Sequence, residues 1–238
     1  MKLLALDTSS EGCSAALRLD GAVTERFERA PRGHTRLLMP MVRSLLDEQG
    51  MAPSDLDALA FACGPGSFTG VRIATGVVQG LAWGLNLPVV PVSSLAAVAL
   101  GAARSLSLGD GDRVAVAFDA RMGEVYWGCY RIDQGLPVLL GDERVCPPEA
   151  VSLGHSDNEL DGTVRWVAAG PGWALQAQMP AAVREAMSVT EPDLLLRAAW
   201  VAELAEAMVR QGGGVPAEQA QPMYLRDEVA WKKLPGRG

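Results

Sequence analysis

The chain opens with short apolar runs broken by polar turns. Leu3 to Leu6 end in Asp7, Thr8-Ser9-Ser10-Glu11-Gly12 follow, and Cys13 to Leu19 resume the pattern. Asp20-Gly21 has the chemistry of a two-residue hairpin turn, so Ala22 to Arg29 is expected to return as a third strand. The period then changes. Leu37, Leu38, Met41, Val42, Leu45 and Leu46 fall on one helical face between Thr35 and Gln49, and Gly50 ends the stretch. Leu56 to Cys63 predicts a strand, Thr69 to Leu85 a helix, and Pro88 to Val92 a short buried strand. Ser93 to Ala103 predicts a helix capped by Ser93 or Ser94.

The opening plan recurs in the second half. Arg113 to Phe118 end in Asp119, and a turn at Ala120 to Gly123 leads to a strand over Glu124 to Arg131. Gln134-Gly135 then introduces Leu136 to Val145. Strand, aspartate, turn, strand, turn and strand return in one order, which points to duplication rather than chance. Beyond them Val164 to Ala169 predicts a strand and Gly170 to Gln178 a glycine-led helix. Glu191 to Gln211 predicts a helix with Pro192 at its start. Gly212-Gly213-Gly214 reads as a linker and Pro222 to Arg226 as an extended tail. With the polar Ser105 to Asp112 as the seam, the chain is expected to be α/β, with tandem lobes over 1–104 and 105–218 and a tail over 219–238. Each lobe would hold a mixed central sheet flanked by helices.

Composition narrows the function classes. The 238 residues carry 21 Lys plus Arg against 28 Asp plus Glu, a net charge of −7. Sequence-independent grip on nucleic acid comes from basic side chains displacing counterions, so an RNA-directed role calls for a partner to supply most of that grip. No apolar segment before Asp7 is long enough for a signal peptide or a membrane span. The four cysteines (Cys13, Cys63, Cys129, Cys146) form no CxxC, which points to reduced core thiols in a cytoplasm. His34 and His155 are the only histidines, so a histidine pair at helical spacing is excluded.

The densest chemistry lies in FACGPGSFTGVR, from Phe61 to Arg72. An apolar strand runs into Gly64-Pro65-Gly66, with hydroxyls at Ser67 and Thr69 before a helix. Two readings of the loop stay open. Backbone N–H groups at the helix start would suit an anion, or the glycines only let the strand turn tightly. No lysine completes a P-loop, and Pro65 occupies the place of the first glycine of a GxSxG elbow. In the following helix Arg72, Gly76, Gly80 and Gly84 share an i, i+4 line. Interior glycines cost roughly 1 kcal/mol each against alanine, so the stripe is expected to pack closely on something. That is either this chain's own sheet or a neighbouring helix, or another chain meeting Ile73, Val77 and Leu81.

Two lobes that each open with strand, aspartate and hairpin resemble the actin, sugar-kinase and chaperone ATPase clan. Within it, LALDTS, His34 with Leu37 and Leu38, GPGSFTGVRI, FDARMGEVYW and PMYLR resemble the TsaB (YeaZ) family, in that family's order from Leu3 to Arg226. The resemblance implies two tandem ribonuclease-H-like (actin-like ATPase) lobes and a non-catalytic role in tRNA threonylcarbamoyladenosine synthesis. It implies a catalytic partner, TsaD, an ATPase partner, TsaE, and a functional link to the adenylate-forming TsaC/Sua5. The tRNA would be met through the complex, and the chain alone would form a homodimer. TsaD proteins hold a metal through HxxxH; Ser94 and Val98 stand at the matching positions here, so neither a metal nor a catalytic residue is expected. Without imidazoles a transition metal has no ligands there.

Asp7, Thr8, Ser9, Gly64, Gly66, Ser67 and Thr69 are then candidates for a vestigial phosphate loop, with ATP or ADP bound only within the complex. Asp119, followed by Ala120-Arg121-Met122, reads as structural. His34 reads as a cap or contact at its helix start, and Glu124 and Arg121 as a pair across their turn. Leu37, Leu38, Met41, Leu45, Ile73, Val77 and Leu81 are the candidate partner face. Trp231-Lys232-Lys233 and Arg237 read as a solvated basic terminus, with contact to RNA or a partner as the alternative. The alternative is an ATP-dependent phosphotransferase of the same clan, resting on Asp7, the Gly64–Gly70 loop and Asp119. A peptidase finds no Ser/His/Asp order or metal pair.

Overall fold

A computed structural model of the chain describes residues 1–30, 32–154 and 164–226. Strands β1 (Lys2–Asp7), β2 (Gly12–Leu19) and β3 (Ala22–Arg29) form an antiparallel meander. Its hairpin turns on Asp20 and Gly21, at φ 48° and 94°. Helix α1 (His34–Glu48) leads to β4 (Ala58–Gly64), α2 (Phe68–Leu85) and β5 (Val89–Ser93). Both later strands join parallel, so the first sheet runs β3-β2-β1-β4-β5. Helix α3 (Ser94–Ser105) then crosses to the second lobe, and the Ser93 hydroxyl accepts from Ala96 N at 3.2 Å as its cap.

The second sheet is built from β6 (Arg113–Arg121), β7 (Glu124–Asp133), β8 (Leu136–Cys146), β9 (Trp166–Ala169) and β10 (Met187–Glu191), in the order β10-β9-β6-β7-β8. Taken from its other edge it is the first sheet again, β6 to β10 standing where β1 to β5 stand. The first three pair antiparallel and the last two parallel. Duplication is therefore visible in the topology, and the two mixed five-stranded sheets match the expected α/β architecture.

Three expectations need correction. The predicted helix over Glu191 to Gln211 starts late: Glu191 closes β10, and the helix is α5 (Ala198–Arg210). Gly170 to Gln178 contains a 3₁₀ segment over Pro171–Gln178. It is held where the buried Trp173 indole donates to Ala115 O at 2.9 Å. The largest correction concerns the domains. Helix α5 packs on all five strands of the first sheet, while α3 packs on β6, β7, β8 and β9 and also reaches β4 and β5. Val215 exchanges backbone bonds with Val89 at 2.8 Å, and Ala217 and Ala220 lie in the first lobe's core. Residues 198–220 thus belong to the first lobe, outside the predicted 105–218 unit. A single apolar core runs from Leu3 and Val90 through α3 and α5 to Val114 and Tyr130.

Between α4 (Ala181–Ala186) and the sheet, Val183 and Met179 close a separate cluster around Trp127 and Trp173. His155, Trp231, Lys232, Lys233 and Arg237 lie outside the described residues.

Candidate functional site

The glycine loop sits where β4 ends and α2 begins. Its glycines are spaces for this chain's own backbone. A Cβ on Gly66 would stand 2.4 Å from Ser9 O, and one on Gly70 would stand 1.9 Å from Thr8 O. Thr8 Oγ1 donates to Gly70 O at 2.6 Å, and Ser67 N donates to Ser9 O at 2.7 Å. Ser67 also caps α2, its hydroxyl accepting from Gly70 N at 3.2 Å. On the other side Gly64, at φ 114°, faces Met223 O at 2.7 Å from where its Cβ would be. Thr8, Ser9, Gly64, Gly66 and Ser67 come together, with Thr8 and Ser9 packed behind the glycines, while Ser9, Gly66, Ser67 and Thr69 line the cleft between the lobes. Thr69 stays exposed on the first turn of α2.

The two aspartates behave differently. Asp7 is fully buried; its Oδ1 accepts from Ser9 N at 2.8 Å and Ser9 Oγ at 2.6 Å, and its Oδ2 has no partner among the described residues. Burial pushes its carboxyl up to about 7. Asp119 is tied within its own turn, accepting from Arg121 N at 2.7 Å and from the Arg121 guanidinium at 3.0 Å. Arg121 and Met122 hold φ of 64° and 58° to allow this. The expected Arg121–Glu124 pair is corrected: Arg121 takes Asp119, and Glu124 takes Arg226.

His34 is not a cap. It is the first residue of α1, whose N-cap is Gly33 without a side-chain bond. The ring is buried, and that burial holds its pKa below the usual value against the backbone of Gly12 and Ser10. It lines a cleft of ≈ 1170 Å³ between the lobes, together with Ser10, Arg32, Phe68, Arg121 and Tyr224. Ser94 and Val98 are fully enclosed in α3. No group of three or more His, Cys, Asp or Glu among the described residues could hold a metal ion.

One polar cluster escapes sequence reasoning. Glu143 on β8 accepts from the Tyr130 hydroxyl and from Ser93 Oγ, the same hydroxyl that caps α3. Burial raises its pKa. The only signal in the sequence is a carboxylate on a strand, which reads as solvated.

The candidate partner face divides. Leu38 and Leu45 are 1% and 0% exposed and belong to the first lobe's core, so they are withdrawn from that face. Leu37, Met41, Ile73, Val77 and Leu81 are half-buried at its rim. The glycine stripe does not pack on the chain's own sheet. Gly76, Gly80 and Gly84 are exposed, and among the described residues nothing lies within 4 Å of where their Cβ atoms would be. Trp83, on the same helix, is 75% exposed.

Two duplicated mixed sheets enclosing an interlobe cleft define a two-lobed protein of the actin-like ATPase plan. A family model described as TsaD, tRNA N6-adenosine threonylcarbamoyltransferase, matches residues 27–233. The tRNA threonylcarbamoyladenosine biosynthesis protein TsaB of Escherichia coli K12 is 43% identical over the whole of both chains. Its namesake in Haemophilus influenzae is 40% identical, over all of this chain and 98% of that one. The solved structure of YeaZ from Pseudomonas aeruginosa is 48% identical over 94% of this chain and 99% of its own, with a TM-score of 0.86. The chain belongs to the TsaB (YeaZ) family.

Proposed function

We propose that the chain serves tRNA threonylcarbamoyladenosine synthesis as a non-catalytic subunit that binds and activates a TsaD-type transferase in the cytoplasm. The reading rests on the outer face of α2. Three bare glycines in one stripe each cost roughly 1 kcal/mol of helix stability, and no described residue packs against them to offset it. Glycines without neighbours let the backbone of a second helix approach closely, and the exposed Trp83 and half-buried Val77 supply apolar area beside them. An equivalent helix of a duplicated relative, or of a second copy of this chain, fits such a surface. TsaE, the TsaC/Sua5 product and tRNA would then be met in the assembled complex, and any ATP or ADP would be held there.

Gly80→Leu tests the assignment without disturbing the core, since Gly80 is exposed and no described atom lies within 4 Å of where its Cβ would be. Thermal stability is expected to stay equal or rise by about 0.5–1 kcal/mol, glycine being the poorer helix former. Co-purification with TsaD, and tRNA modification in a reconstituted mixture, are expected to be lost. Intact complex formation by this variant would remove α2 as the interface.

A further inference from the structure

The end of the described chain is fastened to the first lobe and then leaves it. Gln79 Nε2 donates to Ala220 O at 2.8 Å, Ala220 is fully buried, and Val215 is bonded to Val89. Beyond Pro222 the backbone crosses the glycine loop. Met223 N donates to Cys63 O at 2.7 Å, and a Cβ on Gly64 would strike Met223 O. The absence of a side chain at Gly64 is therefore a requirement of this crossing.

The next residues reach across the cleft mouth. Tyr224 lies 6.1 Å from the Phe68 ring at 38°, and the Arg72 guanidinium stands 3.3 Å from the Phe68 centroid and 4.8 Å from that of Tyr224. Arg226 then pairs with Glu124 and donates to Met122 Sδ at 3.3 Å, both on the β6–β7 hairpin of the second lobe. Four residues of this segment, Met223 to Arg226, line the cleft itself.

We propose that Pro222–Arg226 is an interlobe latch, anchored on the first lobe and hooked to the second by Arg226, which holds the cleft closed and releases as a unit. Its two ends are unequal. The anchor is buried and bonded through backbone, whereas the hook is an ion pair whose side chains are 23% and 32% exposed. Regions with few buried contacts open first, so the hook opens while the anchor stays. Release frees the Tyr224 ring from Phe68 and uncovers the glycine loop at the start of α2. Lobe closure is thereby coupled to the end of that helix.

Hydrogen exchange on the full chain tests this with two amides, Met223 for the strap and Val215 for the anchor. Arg226→Glu and Glu124→Arg, taken singly, are each expected to speed Met223 exchange by about tenfold or more, as loss of a charged hydrogen bond would. Val215 should not change, and the double variant with the charges exchanged should restore protection. Spin labels at Arg43→Cys and Glu149→Cys, both exposed and on different lobes, should report a longer, broader distance in the single variants and recovery in the double. Unmoved Met223 exchange, a double variant no slower than the singles, acceleration of Val215 alongside Met223, or an unchanged label distance would each overturn the latch.

Discussion

Gly70 and Gly76 lie on one helix and do opposite things. Gly70 is needed because Thr8 O occupies the place of its Cβ, while Gly76 faces open space. Both are legible as glycines in a pattern, yet only the fold separates close approach from bare surface, because the contacting atom comes from Thr8, in the turn after β1. Asp7 shows the same limit. Its place at a strand end is readable, but its complete burial depends on the glycine loop folding over it. That burial has a pH consequence. With the folded carboxyl raised from 3.8 to about 7, the native state keeps a proton that the unfolded chain releases between those values. Stability from this group is full below pH 3.8 and declines by at most about 4 kcal/mol as pH rises to 7. His34 acts in the opposite sense, since its folded pKa is depressed and stability falls as the unfolded imidazole protonates below 6.5. Asp7→Asn isolates the first effect: an amide oxygen can accept from Ser9 as Oδ1 does. In urea unfolding the variant is expected to gain on the parent from pH 4.5 to about pH 7 and to level off above it. A stability difference independent of pH would refute the assignment.

At the scale of elements, periodicity served where one face is buried. Helices α1, α2 and α3 begin within one residue of expectation, since their apolar stripes lie on sheets. Strand β10 and helix α4 were not foreseen. Met187–Glu191 is half-buried almost throughout, so its apolar and polar positions carry no clear period, and Pro192, which reads as a helix start, instead follows a strand. The crossing of α3 over α5 was equally hidden, although one residue marks it. A Cβ on Gly101 would lie 2.5 Å from the Trp200 ring, so the helices meet with glycine against indole. Gly101→Ala is expected to lower stability by about 1–3 kcal/mol through overpacking, outweighing the better helix propensity of alanine. Chemical denaturation would show it. Trp200→Leu in the same background should recover part of the loss, and an additive double variant would mean that the two residues do not press on each other.

For the whole molecule, duplication was legible and connectivity was not. The strand–aspartate–hairpin repeat gave two lobes, but a cut at 104 and 105 assigns α5 to the wrong one. The reason is physical. The first sheet has two apolar faces: Leu4, Leu6 and Phe61 face α1 and α2, while the face of Leu3, Ala5 and Ala60 needs a cover beyond α3, which reaches β4 and β5. That cover is α5, which returns after the entire second sheet. The lobe also lacks Val215, Ala217 and Ala220 until the chain comes back. A fragment ending at residue 104 is therefore expected to expose the apolar face of β1, β2, β4 and β5, to bind a hydrophobic dye and to melt without a cooperative transition. Joining residues 196–226 to it by a flexible glycine linker should suppress dye binding and restore cooperativity, because α5 then reaches its sheet. Cooperative unfolding of the 1–104 fragment by itself would mean that the sheet finds another cover, and that α5 is dispensable for the lobe it closes.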